Sequence, residues 1–401
     1  MRVPYPTNPH IRAWQRTSRF TQHCYRVARL LYSFVFVALQ IPLVFLSALF
    51  SLSYYGRSHW SFAYRASLLV GSHIAWSLNP GTQPLNDVLS FPARCSVPKL
   101  TDNQNVQLEV IPPVNELWLK GDATHPTTKP ESCPCFWQWT RNLSSPVGDS
   151  SHPVSQRKIM MYFVGGGMVQ GHSLTSSIPW RVMPETNIPI FGVNFRKCVT
   201  AKTAFPAALQ DALSAFHFLL EMGYREENIS VMGDSGGAGI VVTFLLYLNR
   251  YNFPMPENAV LISPFVDLAS RFDGKGVGEE EEGSLIELDF MNNEMFAMVG
   301  YQYCENRPDL RGTLLSPARG VMPEGYKFEG LCRCMVVWGD AEVFCSGIRK
   351  FVHHLRQAGV KVEAVVGKDE VHDFPIFSKA DKPHEFFGRV ARFLEGDGIY
   401  D

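Results

Sequence analysis

Three sets of residues in this chain have the types and spacing of an acyl-transfer site. Val231–Gly239 reads Val-Met-Gly-Asp-Ser-Gly-Gly-Ala-Gly, with Ser235 at the centre of a Gly233-x-Ser-x-Gly237 match. The strand-like Ile229–Met232 precedes it and the apolar run Ile240–Leu246 follows. In that strand–turn–helix context the match lifts a serine hydroxyl out of the backbone. The two glycines remove the Cβ atoms that would hold strand and helix apart. Upstream, the buried-strand pattern Lys158–Val164 runs straight into Gly165-Gly166-Gly167-Met168. Consecutive glycines cost backbone entropy; what they allow is close approach of main-chain N–H groups to a ligand. Donors about 3 Å from a developing oxyanion are each worth roughly 3–4 kcal/mol in a transition state. Downstream, the strand-like Cys334–Trp338 leads into Gly339-Asp340-Ala341-Glu342, and Val362–Val366 leads into Val371-His372-Asp373-Phe374. The chain order is serine, acid, histidine, with Asp340 and Glu342 both open as the acid. A lone GxSxG, glycine run or loop histidine is unremarkable on its own. Together, in this order, they describe serine attack on a carbonyl with histidine as the base.

These loops can meet only if the strands before them run parallel and end at one edge, which is where open α/β sheets bind ligands. The pattern supplies such strands. Ile188–Asn194, helix Ala207–Met222, Ile229–Met232, helix Ala238–Tyr251 and Ala259–Ile262 alternate at βαβ spacing, which predicts a parallel sheet. Gln107–Ile111 and Glu116–Leu119 read as opening strands. Asp122–Gln156, rich in Pro, Ser and Thr, reads as a surface insertion without a core. Asp267–Ala318 interrupts the alternation; its Glu279–Glu282 run reads as a solvated loop rather than a metal site, and Ser284–Tyr303 as helix.

At these residues the chain resembles the hormone-sensitive-lipase-like branch of the α/β-hydrolases, with fungal esterases, steryl-acetate hydrolases and arylacetamide deacetylases as the nearest look-alikes. The resemblance covers roughly residues 105–395 and extends to Phe195-Arg196 with Phe205-Pro206-Ala207-Ala208-Leu209-Gln210-Asp211, to Ser263-Pro264-Phe265-Val266-Asp267 and to Ser316-Pro317-Ala318. It implies an α/β-hydrolase fold, a mostly parallel sheet with helices on both faces and a helical cap. It implies Ser235 as nucleophile, His372 as base and the N–H groups of Gly166, Gly167 and Gly236 as the oxyanion hole. Counting from the strand end, the family position of the acid falls on Glu342, with Asp340 as the alternative. The histidine that usually opens the family's glycine motif is Val164 here, which implies altered support of that loop. In the family the insertion at about 267–318 joins the N-terminal segment as a cap. Phe290, Met291, Met295, Phe296 and Met298 then line an acyl or sterol pocket or form cap core.

The 401 residues, 46% hydrophobic, are enough for one catalytic domain and a cap. A net charge of −1 and the lack of a basic patch in the catalytic region argue against nucleic acid. No dinucleotide fingerprint, phosphate loop or metal-ligand cluster stands out, so no cofactor or metal is expected. Six arginines (Arg2, Arg12, Arg16, Arg19, Arg26, Arg29) precede residue 30, whereas the first acidic residue is Asp87. Leu30–Leu52 then runs 23 residues without a charge, about 35 Å of helix and enough to span a bilayer. The expected organisation is a basic cytosolic tail (1–29), a single anchor (30–52), membrane-proximal and cap helices including Ser67–Leu78 (53–100), and a catalytic domain (101–401). Arginine bias predicts a lumenal catalytic domain, as in the endoplasmic reticulum; a cleaved signal peptide is the competing reading. Asn142 and Asn228 open glycosylation sequons. Cys133-Pro-Cys135 and Cys332-Arg-Cys334 are too closely spaced for zinc pairs, Cys334 reads as core packing, and no spacing dictates disulfides or an oligomeric state. The expected function is a membrane-anchored serine esterase acting on an apolar ester. An acyltransferase or cyclase on the same triad, and a non-catalytic binder on the same fold, are the alternatives.

Overall fold

The computed structural model describes residues 18–52, 56, 57, 59–77, 90–148, 152–269, 289, 291, 299–377 and 381–398. Its centre is an eight-stranded sheet of order β1-β2-β4-β3-β5-β6-β7-β8. The strands are β1 (Gln104–Ile111), β2 (Cys133–Thr140), β3 (Ile159–Phe163), β4 (Ile190–Val193), β5 (Ile229–Asp234), β6 (Asn258–Ile262), β7 (Arg333–Gly339) and β8 (Val362–Gly367). β2 pairs antiparallel with both β1 and β4, and every pairing from β4 to β8 is parallel. The central parallel strands have helices on their faces, so both sides of β3, β5 and β6 are dry. That is why β3, β5 and β6 are buried at every position and read as largely apolar segments rather than as alternation.

The helices that carry the chain back are α3 (Ile178–Thr186), α4 (Ala207–Glu221), α5 (Ser235–Tyr251), α6 (Cys345–Gln357) and α7 (Asp381–Glu395). In front of α4 a buried ion pair fixes the loop from β4. Arg196 is 2% exposed and Asp211 0%, and Arg196 also donates to the carbonyls of Lys129 and Ala207 and to Gln210. Because each charge is fully paired, removing one partner would strand the other, a loss of about 3–5 kcal/mol.

Two expectations fail near the start of the sheet. Glu116–Leu119 is not a strand: Glu116–Trp118 is one 3₁₀ turn, capped by the Asn115 side chain accepting from Leu117 N–H at 3.1 Å. Its Trp118 lies flat on Phe253, 4.4 Å between centroids, so the apolar pair is a side-chain plug and not a strand face. The second strand lies inside the supposed coreless insertion 122–156. Cys133–Thr140 is buried along nearly its whole length, an aromatic run hidden from a compositional reading by the Pro, Ser and Thr around it. The close cysteines Cys133 and Cys135 sit in that strand, none of the nine cysteines is in a disulfide, and Cys334 is in the core as expected. Helix α5 starts at Ser235 itself rather than at Ala238.

At the N-terminus, α1 (Arg19–Leu49) is capped by Ser18. His23–Leu49, mean hydropathy 2.1, is the one helix among the described residues long and apolar enough to cross a membrane. Its large side chains face outward, Phe34 at 74% and Leu39 at 68% exposure, which is not the pattern of a core helix. Helix α2 (Phe62–Ser77) turns back along it, with Phe45 against Phe62 and Phe36 against His73. Of the expected cap, residues 299–303 are helical and Met291 packs against the core. Phe290, Met295, Phe296, Met298 and the run Glu279–Glu282 lie outside the described residues.

Candidate active site

All the candidate loops meet at the C-terminal edge of the sheet. Ser235 follows β5 directly, with a left-handed φ of 50°. A Cβ on Gly233 would stand 2.7 Å from Ala238 N, and one on Gly237 would stand 2.1 Å from Phe163 O. Strand and helix therefore touch backbone to backbone, and the only direction left for the serine side chain is outward. Met168, Ser263 and Asp373, each in one of the loops around it, also have positive φ, at 60°, 42° and 50°. Such conformations cost non-glycine residues about 1–3 kcal/mol each and collect at functional sites.

His372, 2% exposed, points Nε2 at Ser235 Oγ at 2.9 Å. The edge of its ring meets Phe344 at 89°, and Phe344 in turn stacks on Phe265, so the imidazole has little freedom to turn. On its other side Glu342 Oε1 lies 3.7 Å from Nδ1. Glu342 is fully buried, and its Oε2 accepts from Ser263 Oγ at 2.6 Å and from Gly339 N–H at 2.9 Å. Asp340 faces the other way, bound to Arg57 and to the N–H of Asp369. Of the two acids left open by the sequence, Glu342 is the one beside the histidine.

The glycine loop packs against the start of α5. A Cβ on Gly236 would sit 2.7 Å from Met168 N and 2.9 Å from Gly167 Cα, so any larger residue would push the two apart. Gly166 and Gly167 take φ of 94° and 60°. The N–H groups of Gly166, Gly167 and Gly236 donate to no described residue, which leaves them for an anion. The loop is held by Asp234, which accepts from Gly165 N–H at 3.0 Å and from the Tyr162 hydroxyl. Val164, at the position the resemblance gives to the family's histidine, is buried against this loop.

Sequence reasoning missed three residues. Ser263 joins acid and base, donating to Glu342 while accepting from Asp373 N–H at 3.0 Å; its loop was recognised only as a landmark. Asp373 brings a second carboxylate to the histidine, Oδ2 3.3 Å from Nε2, and the sole signal was its adjacency to His372. Asp234, next to the serine in the chain, was passed over in the same way.

Four buried carboxyl groups therefore surround one imidazole. Burial pushes Asp234 and Asp289 up to about 6, and pushes Asp373 well above the usual carboxylate range. Burial alone would lower His372, but Asp373, Glu342 and Asp289 outweigh it and raise it. Among the described residues no three His, Cys, Asp or Glu side chains are grouped to hold a metal. Of the sequons, Asn142 and Ser144 are exposed in the turn after β2, whereas Asn228 is half-buried and donates to Ser155 O at 2.8 Å.

Comparison with known proteins agrees with the fold. An acetyl-hydrolase of Streptomyces hygroscopicus is 26% identical over 250 residues, 60% of this chain and 78% of that protein. An ethyl acetate hydrolase of Pseudomonas putida is 27% identical over 222 residues, 54% of this chain and 65% of that protein. Among solved structures, an esterase/lipase from an uncultured bacterium superposes with a TM-score of 0.58 at 20% identity, covering 79% of this chain and 93% of that one. An esterase from the bacterial hormone-sensitive lipase family does so at 0.55 and 20%, covering 83% and 91%. The resemblance to that branch is borne out. A family model for the alpha/beta hydrolase fold matches residues 160–376, more than half of the chain and every candidate catalytic residue, and the protein belongs to that family.

Proposed function

We propose that the protein is a membrane-anchored serine esterase that removes an acetyl or other short acyl group from an apolar alcohol. The observation that carries this reading is the line from Ser235 Oγ to His372 Nε2, 2.9 Å, and from Nδ1 on to Glu342, 3.7 Å. It lies beside three N–H donors that no described residue uses. Ser235 attacks the ester carbonyl as His372 takes its proton, and Glu342 holds the imidazolium that results. Gly166, Gly167 and Gly236 bind the oxyanion of the tetrahedral intermediate. Nε2 then passes its proton to the leaving alcohol, and a water activated by the same nitrogen releases the acyl group. A distance of 3.7 Å is long for a working acid–histidine bond, and such contacts tighten once substrate is bound.

The preference for short acyl groups is supported by the acetyl-hydrolase and ethyl acetate hydrolase among the relatives. The apolar alcohol is supported by the helix 23–49 and its outward-facing leucines and phenylalanines. In this reading the arginine-rich N-terminus stays cytosolic and the catalytic domain is lumenal, with Asn142 the exposed sequon. The test is hydrolysis of an acyl series, acetyl to palmitoyl, by the full-length protein, with products analysed in water and with an added alcohol acceptor. Free acid from acetyl and butyryl esters supports the reading. Transfer to the acceptor in preference to water overturns hydrolysis, and inertness toward every ester overturns the esterase.

A further inference from the structure

The loops that carry Glu342 and His372 are tied to the chain just after the apolar helix α1. Arg57 Nη2 lies 3.1 Å from Asp340 Oδ1 and donates to the Asp340 carbonyl at 3.3 Å, while Nη1 reaches Asp340 Oδ2 at 3.4 Å and Asp369 Oδ1. Asp340 is two residues before the acid and Asp369 three before the histidine. The two loops are also joined directly, Asp369 N–H to Asp340 Oδ1 at 2.8 Å. His59 Nε2 adds a contact to Asp369 at 3.1 Å. Beside this polar bridge, Trp60 and Leu68 form a small apolar cluster with Ala341 and Val371, residues adjacent to the acid and to the histidine. The bridge is rooted in turn by Arg65, which is fully buried. It donates to Ser47 Oγ and Leu52 O at the end of α1, and to the carbonyls of Arg57 and Trp60.

We propose that Arg57 is a positioning residue for the esterase reaction: its guanidinium clamps the acid loop to the histidine loop and couples the catalytic geometry to the membrane-proximal segment. The inference rests on the catalytic reading above and extends it to a part of the chain before the sheet. A planar fork with fixed donors suits this task, since it spans two carboxylates at once. The pair is about a quarter exposed on each side, so it adds little to overall stability. Its effect is expected in geometry. Loosening the acid loop lets Glu342 drift from Nδ1, and displacements of about 1 Å can cost up to ~10²-fold in rate.

The test is Arg57→Ala in the full-length protein, with kcat, KM, the pH profile of kcat/KM and fluorophosphonate labelling measured beside wild type. The clamp predicts kcat down ~10-fold, KM and thermal midpoint little changed, and the rising limb of the pH profile moved to lower pH. The sign is informative. The groups facing His372 are Glu342, Asp373, Asp289 and Asp234, and a Glu342 held less firmly raises the imidazole less. Simple loss of a nearby cation would move the limb the other way, and partial unfolding would not move it at all. Arg57→Lys, which can reach one carboxylate at a time, should recover part of the rate. If Arg57→Ala fails to fold, Asp369→Gly, which suits the positive φ of 61° there, removes the second carboxylate of the bridge and should shift kcat and the limb alike. Wild-type kcat with an unmoved limb in a folded variant overturns the clamp alone. Wild-type protein that neither labels nor hydrolyses overturns the catalytic reading beneath it.

Discussion

Replacing Glu342 by glutamine changes one oxygen into an NH₂ group, and the surroundings decide which one. Oε2 accepts two hydrogen bonds, from Ser263 Oγ at 2.6 Å and Gly339 N–H at 2.9 Å. An amide nitrogen there would face two donors, so the glutamine oxygen must keep that place. The NH₂ is then turned toward His372 Nδ1, 3.7 Å away in wild type. A donor at that point pairs only with an unprotonated Nδ1, which moves the ring proton to Nε2. Nε2 is the nitrogen 2.9 Å from Ser235 Oγ, and once protonated it cannot accept the serine proton. The fold is undisturbed, but the base is in the wrong tautomer, a fault that costs about 10⁴-fold in kcat, or ~5.4 kcal/mol of barrier. Asp340→Asn keeps an oxygen to accept from Asp369 N–H and to meet Arg57, and should cost less than about tenfold. Steady-state kinetics on a soluble acetyl ester, with unchanged thermal midpoints as the check on folding, read both. A Glu342→Gln enzyme within tenfold of wild type, or an Asp340→Asn enzyme that is the worse of the two, would refute the assignment of the acid.

The carboxylates around His372 raise its pKa, and the imidazolium cannot accept a proton, so activity should climb with pH. The rising limb of kcat/KM is expected above the ordinary histidine value of 6.5, and a limb at or below it would contradict the site's electrostatics. Lys197 is 2% exposed, its amine 3.2 Å from the Phe195 ring centroid, and burial holds its pKa well below the usual lysine value. The unfolded chain binds a proton there that the fold does not, so this penalty is absent above the ordinary lysine pKa and complete below the folded one. Lys197→Met should therefore raise stability at pH 7 by ~1 kcal/mol or more and flatten its rise with pH; a lower thermal midpoint would refute this. The helix 23–49 should keep the protein in the pellet through a carbonate wash, with the catalytic domain protected from protease in sealed microsomes. Release by carbonate, or digestion in intact vesicles, would remove the anchor or its orientation.

The parallel half of the sheet was legible because strands dry on both faces are largely apolar, as Ile159–Phe163 and 259–262 are. The antiparallel edge was not. β2 is a tryptophan-rich strand embedded in Pro, Ser and Thr, whereas Glu116–Leu119 imitates a strand locally and is shaped by a distant partner, Phe253. At the site the same division holds. Ser235, His372 and the glycines announce themselves by local spacing, because an elbow and a glycine loop are short-range geometry. Ser263 and Arg57 act on residues 79 and more than 280 positions away, and no local pattern encodes which loop they reach. Between Asp340 and Glu342, residue type and position pointed in opposite directions; in the turn after β7 the carboxylate of Glu342 lies beside His372 and that of Asp340 at Arg57.

The central claim is that Ser235 is an activated nucleophile. Its most direct measurement is covalent labelling by a fluorophosphonate, with ester hydrolysis followed in the same preparations of full-length wild type and Ser235→Ala. Only a hydroxyl is removed from a side chain that projects from the elbow, so the variant should fold as wild type does. The account predicts a single label on Ser235 in wild type, and neither label nor turnover above background in the variant. Labelling at another serine, or near-wild-type hydrolysis by Ser235→Ala, would contradict it.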